Sequence, residues 1–167
     1  MVKRAAFLWL AVAAAVIPSG CSDDEEAPPA ARVEDEGEPL EFLRTFPAST
    51  SGGLRAETKA VVKDAKGWEA LWAKANEHLA PVPKAPAIDF AKGMAAVFAC
   101  GERKTGGWSV EIVGARKAGG KTRILYAVRA PAEGAVASQA VTMPWHAVVL
   151  PRSDDPVEWV EYRARKN

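Results

Sequence analysis

Cysteine and histidine are scarce in this chain, and their scarcity limits its covalent and metal chemistry. Two cysteines, Cys21 and Cys100, and two histidines, His78 and His146, occur among 167 residues. No Cys-x-x-Cys or His-x-x-x-His spacing is present, so the sequence lacks the usual zinc-binding motifs. Two cysteines also cannot form the disulfide framework of a small exported scaffold. We therefore expect no metal, no cofactor and a fold stabilised by packing.

Long apolar runs are missing as well. The apolar run Ala5–Ile17 has thirteen residues, whereas a membrane-spanning helix needs about 20. Lys3 and Arg4 precede this run, and the small residues Ser19 and Gly20 follow it. A basic start, a short apolar core and small residues at the end are typical of a secretory signal. The sequence predicts a signal peptide over residues 1–20.

Cys21 follows this predicted signal directly. The Ser19-Gly20-Cys21 boundary resembles the lipobox of bacterial lipoproteins, in which the cysteine thiol receives a diacylglyceryl group. Pro18 departs from that pattern, because an aliphatic residue is usual there. An ordinary signal peptide with an incidental cysteine is the alternative. We expect lipidation at Cys21, and hence an exported protein anchored to a membrane of the bacterial cell envelope.

The net charge of +1 conceals an uneven distribution along the chain. Residues 22–40 carry eight acidic residues and one basic residue, whereas residues 41–167 carry a charge of +6. The acidic segment also has three prolines and no aromatic residue, so it cannot bury enough apolar surface to fold alone. We expect an acidic disordered tether over residues 21–40, followed by one folded domain over residues 41–167.

One amphipathic helix is clearly indicated within that domain. Asp64 stands in the position of an N-cap, and Pro81 and Pro83 are placed to end the helix. Apolar side chains recur between them at helical spacing, at Trp68, Leu71, Trp72, Ala75 and Leu79.

The sequence of the rest of the domain predicts short strands separated by turns that contain glycine and proline. The segment Gly93–Cys100 is apolar on both faces and is typical of a central strand. Other predicted strands lie near residues 42–46, 54–63, 107–113, 123–129, 145–150 and 157–162. The pattern predicts an α+β fold, an antiparallel β-meander sheet with one main helix packed on one face.

Few residues are suited to catalysis. A nucleophile needs a base within hydrogen-bonding reach, and Cys100 with His146 is the conceivable pair. Cys100, however, lies in the apolar strand, where a thiol is buried and inert. We therefore expect a protein that is not an enzyme. Basic residues near the turns at 103–104 and 116–123 are typical of solvated hairpin ends, and an exported location disfavours nucleic acid as a partner.

Two tryptophans, Trp108 and Trp145, follow loop residues instead of lying inside apolar runs. They are either core residues or anchors for a protein partner, since tryptophan is enriched at interface hot spots. Arg103 and Lys104 would flank such a surface and steer an acidic partner. The candidate partner-binding residues are Thr105, Gly106, Gly107, Trp108, Met143, Trp145 and His146.

The segment Gly101–Ile112, with the sequence GERKTGGWSVEI, resembles a known family. The segment Thr142–Leu150, with the sequence TMPWHAVVL, and the tryptophan-containing helix add to the similarity. Together they resemble the C-terminal domain of the protease complex subunit PrcB family, over roughly residues 54–152. The Thr-Gly-Gly-aromatic turn is the most specific element, and Trp108 stands where the family often has tyrosine.

The resemblance implies an exported, often lipidated protein that assembles with a surface protease and has no catalytic residues of its own. The sequence thus favours a non-catalytic, lipid-anchored envelope protein that binds or stabilises an exported protein such as a protease. The alternatives are a carrier that holds a small apolar ligand between helix and sheet, a structural envelope lipoprotein, and a Cys/His hydrolase.

Overall fold

The computed structural model of the protein describes residues 37–132 and 134–162. The predicted signal peptide, the predicted lipidation at Cys21 and most of the predicted tether lie outside these residues. Among the residues that are described, no helix is both long and apolar enough to cross a bilayer.

The predicted helix is present as α1, Ala65–Ala75. The Asp64 side chain caps it, because Oδ1 accepts a hydrogen bond of 2.8 Å from the amide of the third helical residue. The helix ends earlier than predicted, and Leu79 is 43% exposed beyond it. Asn76 accounts for the early end, since its side-chain amide donates to the carbonyl oxygen of Trp72 over 2.9 Å and helps satisfy the last turn.

The described part of the chain also forms eight strands, which divide between two four-stranded sheets. The outer sheet has the order β1-β5-β6-β8, and the central sheet has the order β2-β7-β4-β3. The strands are β1 Glu38–Pro39, β2 Arg44–Thr45, β3 Glu57–Val62, β4 Gly93–Cys100, β5 Ser109–Ala118, β6 Lys121–Arg129, β7 Trp145–Pro151 and β8 Val157–Glu161.

The α+β fold with one main helix is confirmed, but the strands do not form one continuous meander. β6 and β8 pair in parallel, whereas the other pairs are antiparallel. A parallel neighbour requires a crossover connection, and the segment between β6 and β8 supplies it by passing through the central sheet as β7. Turn signals in the sequence mark where strands end, but they do not report which sheet each strand joins.

The folded domain also begins earlier than predicted. β1 lies within the stretch 21–40 that we predicted to be a disordered tether, and it pairs with Arg116 and Lys117 of β5. Arg116 Nη1 also donates a hydrogen bond of 3.2 Å to the Gly37 carbonyl oxygen. The two residues of β1 are exposed, so backbone pairing and not apolar burial orders them, and composition alone does not reveal the strand.

β4 is the central strand of the domain, and its two faces belong to two different cores. Met94, Ala96 and Phe98 face the outer sheet and pack with residues of β5 and β6. Ala95 and Val97 point the opposite way and pack with residues of α1 and β7. The domain therefore has three layers, the helix, the central sheet and the outer sheet. This arrangement confirms the prediction that residues 93–100 are apolar on both sides because both sides are covered.

Candidate functional site

Two loops meet at one end of the sheets and hold each other by hydrogen bonds. The main chains of Arg103 and Thr142 exchange N–H to O=C bonds of 2.8 and 2.9 Å. The Thr142 hydroxyl donates to the Thr105 carbonyl oxygen over 3.0 Å. The Gly106 amide donates to the Ser138 carbonyl oxygen over 2.9 Å. We call residues 103–108, together with these partners, the loop edge.

Gly107 fixes the turn that leads into β5. Its φ of +83° lies in the left-handed region, which side chains with a Cβ rarely adopt. A Cβ at this position would also lie 2.9 Å from Cγ of Pro131. The position therefore requires glycine for both its backbone angle and its neighbour, and the next residue, Trp108, is held at a defined place.

Trp108 is half-buried and lies beneath the Arg103 guanidinium group. The guanidinium carbon lies 4.6 Å from the ring centroid, which is the geometry of a cation–π contact. Arg103 Nε is shielded from solvent and has no hydrogen-bond partner among the residues that the structure describes. Lys104, the next residue, is exposed. The loop edge thus presents an aromatic ring, a stacked guanidinium group and a second cation side by side.

Trp145 occupies a different environment from Trp108. It is 3% exposed, and its ring meets that of Trp72 edge to face at a centroid distance of 5.6 Å. Its indole Nε1 donates to the Ser51 carbonyl oxygen over 3.1 Å. Phe46 and Trp68 complete the cluster, which we call the aromatic core. The expectation of one exposed patch shared by Trp108 and Trp145 is corrected, because Trp145 belongs to the core.

His146 is also inside, at 4% exposure. Its Nδ1 accepts a hydrogen bond of 2.8 Å from the Ile112 amide, and Nε2 lies 2.9 Å from the Phe46 carbonyl oxygen. The ring is therefore neutral with its proton on Nε2, which donates to that carbonyl. Burial lowers the pKa of His146 from its ordinary value of 6.5, and this lowering outweighs the opposing effects of the Phe46 carbonyl and Glu111. The side chain joins β7 to β5 of the other sheet.

These two hydrogen bonds also exclude Cys100 and His146 as a catalytic nucleophile and base. Both ring nitrogens of His146 are engaged by main-chain groups, so neither is available to take a proton from a thiol. Cys100 is 5% exposed, and its Sγ lies 3.7 Å from the Gly101 carbonyl oxygen, to which the thiol donates. A buried thiol without a base is not an activated nucleophile. Within the described residues, no group of three or more potential ligands could hold a metal ion.

The predicted binding residues therefore separate into two groups. Thr105, Gly106, Gly107 and Trp108 lie on the loop edge. Met143 is half-buried next to it, and its amide donates to the Thr50 carbonyl oxygen over 3.1 Å. Trp145 and His146 lie in the interior.

The residues on the opposite side of the loop edge were not predicted. Thr142 and Ser138 hold the turn in place through a hydroxyl group and a main-chain carbonyl, respectively. The sequence carries no periodic signal for them, because both belong to a loop with no regular pattern. Only the pairing of two distant loops gives these residues their role.

The cavities offer little support for an apolar ligand held between helix and sheet. The groove beside α1, lined by Trp68, Lys84 and Phe90 among others, has a volume of about 250 Å³, below the range of about 300–1,000 Å³ typical of ligand pockets. A groove of about 460 Å³ lies elsewhere, where β5 bulges near Gly114 beside Leu40 and Tyr162. It lies at the outer sheet, away from the place that the carrier hypothesis requires.

Residues 94–151 match the family model described as PrcB C-terminal. The predicted resemblance is thus confirmed over this segment, which contains β4 except for its first residue, all of β5 to β7, and the whole loop edge. The helix α1 and the strand β3 precede the matched residues, so the match is shorter than the predicted resemblance over residues 54–152. No curated protein and no solved structure matches the chain significantly. The match covers 58 of the 167 residues and shows a similarity to the C-terminal part of PrcB.

Proposed function

We propose that this protein is a non-catalytic subunit that is anchored by lipid at Cys21 to the bacterial cell envelope. There it binds and stabilises an exported protein, namely a protease. The binding surface is the loop edge, with Trp108 as its apolar anchor. The acidic segment before residue 37 sets the distance between the membrane and the folded domain.

The observation that carries this proposal is the position of Trp108 within the matched segment. A large aromatic side chain remains half-buried at a rigid turn, while the other aromatic side chains nearby are packed into cores. Partly exposed tryptophan next to arginine is the composition of an interface hot spot. The hydrogen bonds between the two loops hold this surface in one shape, which lowers the entropy that binding would cost.

Affinity purification of the tagged full chain from envelope membranes tests the proposal. We expect a protease to co-purify in a fixed ratio with the wild-type protein and to be lost with Trp108→Ala. Leu43→Ala is the matched control, because Leu43 is a 57% exposed apolar residue on β2's flank, away from the loop edge. Wild-type protein that purifies alone, or a folded Trp108→Ala protein that retains the protease, would contradict the proposal.

The anchor is tested separately by Cys21→Ser. Without a thiol at this position no diacylglyceryl group can be attached, so we expect the protein to move from the membrane fraction to the soluble fraction. Retention of Cys21→Ser in the membrane pellet after a high-salt wash would refute the anchor and leave the binding surface unaffected.

A further inference from the structure

The loop edge carries two positive charges, Arg103 and Lys104, that form no salt bridge with the residues the structure describes. Many lysines and arginines of the described residues lie close to a carboxylate; Arg55 pairs with Glu102 at 3.1 Å and Arg129 pairs with Glu111 at 2.9 Å. These two acids lie near the loop edge in the sequence, and both are already paired. Arg103 has no carboxylate partner among the described residues, and the same holds for its neighbour Lys104.

The Arg103 side chain is nevertheless fixed in place. Its main chain forms two hydrogen bonds with the main chain of Thr142, and its guanidinium group stacks on the Trp108 ring. A guanidinium group that stacks on one face keeps the edge bearing its two terminal nitrogens free to donate two parallel hydrogen bonds. No described hydrogen bond of the protein uses those nitrogens.

From this geometry we infer that Arg103 and Trp108 form a carboxylate receptor for an acidic segment of the partner protein. A carboxylate accepts two hydrogen bonds from the guanidinium edge, and the aliphatic part of the same acidic side chain contacts the Trp108 ring. Lys104 attracts a second carboxylate, so the receptor fits a segment with more than one Asp or Glu side chain in preference to a single C-terminal carboxylate. This inference rests on the proposed function and adds the chemistry that the surface recognises.

Synthetic peptides test the receptor without the natural partner. The probe is a peptide of alternating glutamate and alanine, acetylated and amidated so that its only charges are side chains. Binding to the purified full chain in nonionic detergent is measured by isothermal titration calorimetry at low salt. We expect the glutamate peptide to bind and the same peptide with glutamine in place of glutamate not to bind. A glutamine peptide with a free C-terminal carboxylate is the third arm, and binding equal to that of the glutamate peptide would overturn the choice of acidic side chains.

Variants locate the binding on the surface. We expect Arg103→Gln to weaken binding of the glutamate peptide about tenfold or more, since charge-assisted bidentate bonds are lost. Arg103→Lys is expected to recover only part of it, because lysine lacks the planar fork. Arg44→Gln is the matched control, because the Arg44 guanidinium group also stacks on an aromatic ring, 4.6 Å from the centroid of Phe46. This substitution removes the same charge at a site away from the loop edge. Equal losses for Arg44→Gln and Arg103→Gln would show nonspecific attraction and overturn the receptor.

Two further measurements test the receptor even if Arg103→Gln fails to fold. Lys104 is exposed, so Lys104→Gln should fold normally and weaken binding about two- to threefold, a small effect typical of a solvent-exposed charge. Binding by the wild type should also weaken as sodium chloride rises from 20 to about 200 mM, because salt screens exposed charges. Unchanged binding in either measurement would overturn the inference. If no peptide binds while Trp108→Ala still releases the protease, the receptor is refuted and the proposed function stands.

Discussion

Trp108 and Trp145 look alike in the sequence and differ in the folded protein. Each follows loop residues and opens a strand region, yet Trp145 is 3% exposed within the aromatic core and Trp108 is half-buried at the loop edge. Their polar contacts differ in the same way. The indole of Trp145 donates to a main-chain carbonyl, whereas the ring of Trp108 is covered on one face by a charged side chain.

The difference shows what decides the role of an aromatic residue at the start of a strand. Trp145 begins β7, which lies between β2 and β4 in the central sheet and is covered on one face by the helix. Trp108 precedes β5, at an end of the outer sheet where only loops meet. Whether a layer of the fold covers a residue depends on the whole fold and cannot be predicted from the local sequence.

The strongest way to test this comparison is to remove the core tryptophan. We expect Trp145→Ala to lower the free energy of unfolding by about 3–5 kcal/mol, because a large buried side chain leaves a cavity and its hydrogen bond to Ser51 is lost. Urea denaturation monitored by circular dichroism measures this change. A loss below 1 kcal/mol would mean that Trp145 is not part of the core.

His146 provides the next largest effect. In His146→Phe the Ile112 amide and the Phe46 carbonyl oxygen lose their partner while remaining buried. Unsatisfied buried groups of this kind cost about 1–3 kcal/mol each. Burial of the more apolar phenyl ring offsets part of this cost, so we expect a net loss of roughly 2–4 kcal/mol in the free energy of unfolding. A stability equal to that of the wild type would show that water or other groups replace the ring.

His146 should also make the free energy of unfolding depend on pH. The folded-state pKa of His146 is lowered below its ordinary value of 6.5, so the unfolded chain takes up the proton first as the pH falls. The free energy of unfolding should therefore be constant above about pH 6.5 and should decline below it, until the lower folded-state pKa is reached. Protonation would also place a hydrogen on Nδ1, facing the Ile112 amide. His146→Phe should lack this decline between pH 7.5 and 5.5, and an identical slope in both proteins would contradict the assignment.

Substitution of Gly107 is expected to lower the free energy of unfolding by a smaller amount. A second glycine, Gly119, separates the effect of the backbone angle from that of the contact with Pro131. Gly107→Ala combines a left-handed φ with a contact of 2.9 Å to Pro131, and we expect a loss of roughly 1–3 kcal/mol. Gly119 has a φ of +57° and no atom within 4 Å of the position of a Cβ, so Gly119→Ala reports the backbone angle alone and should cost about 1 kcal/mol. Equal losses in the two variants would mean that the Pro131 contact does not constrain the loop edge.

Trp108→Ala should have the smallest effect on stability. Trp108 is half-buried and belongs to neither core cluster, and its cation–π contact with Arg103 contributes about 0.5–1 kcal/mol. We expect a change of at most about 1 kcal/mol in the free energy of unfolding. A loss as large as that of Trp145→Ala would place Trp108 in the core and remove the distinction between the two residues.

Much of the fold follows from the sequence for physical reasons that act locally. Asp64 predicts the start of the helix because its side chain can satisfy a free amide, and the structure shows that bond. The segment 93–100 predicts a strand covered on both sides because it has no polar face. The end of the helix at Asn76 and the strand at residues 38–39 depend on individual hydrogen bonds, which composition does not reveal.

The candidate site is less predictable than the fold. The turn at Gly106 and Gly107 can be recognised because glycine marks backbone angles that other residues avoid. The contacts of Arg103 with Thr142 and Trp108 join residues whose proximity depends on the pairing of two loops. His146 was predicted at the edge of the site, but its two main-chain partners come from β5 and from the segment before β3, and only the assembled layers bring them together.

Photocrosslinking tests the central claim, that the loop edge is the surface that binds an exported protein. A photoreactive amino acid is placed in cells at position 104, on the loop edge, and in a second strain at position 66, an exposed site on α1. We expect a crosslinked protease from position 104 that is lost when Trp108→Ala is added, and none from position 66. A protease crosslinked at position 66 and not at position 104 would show that the loop edge is not the binding surface.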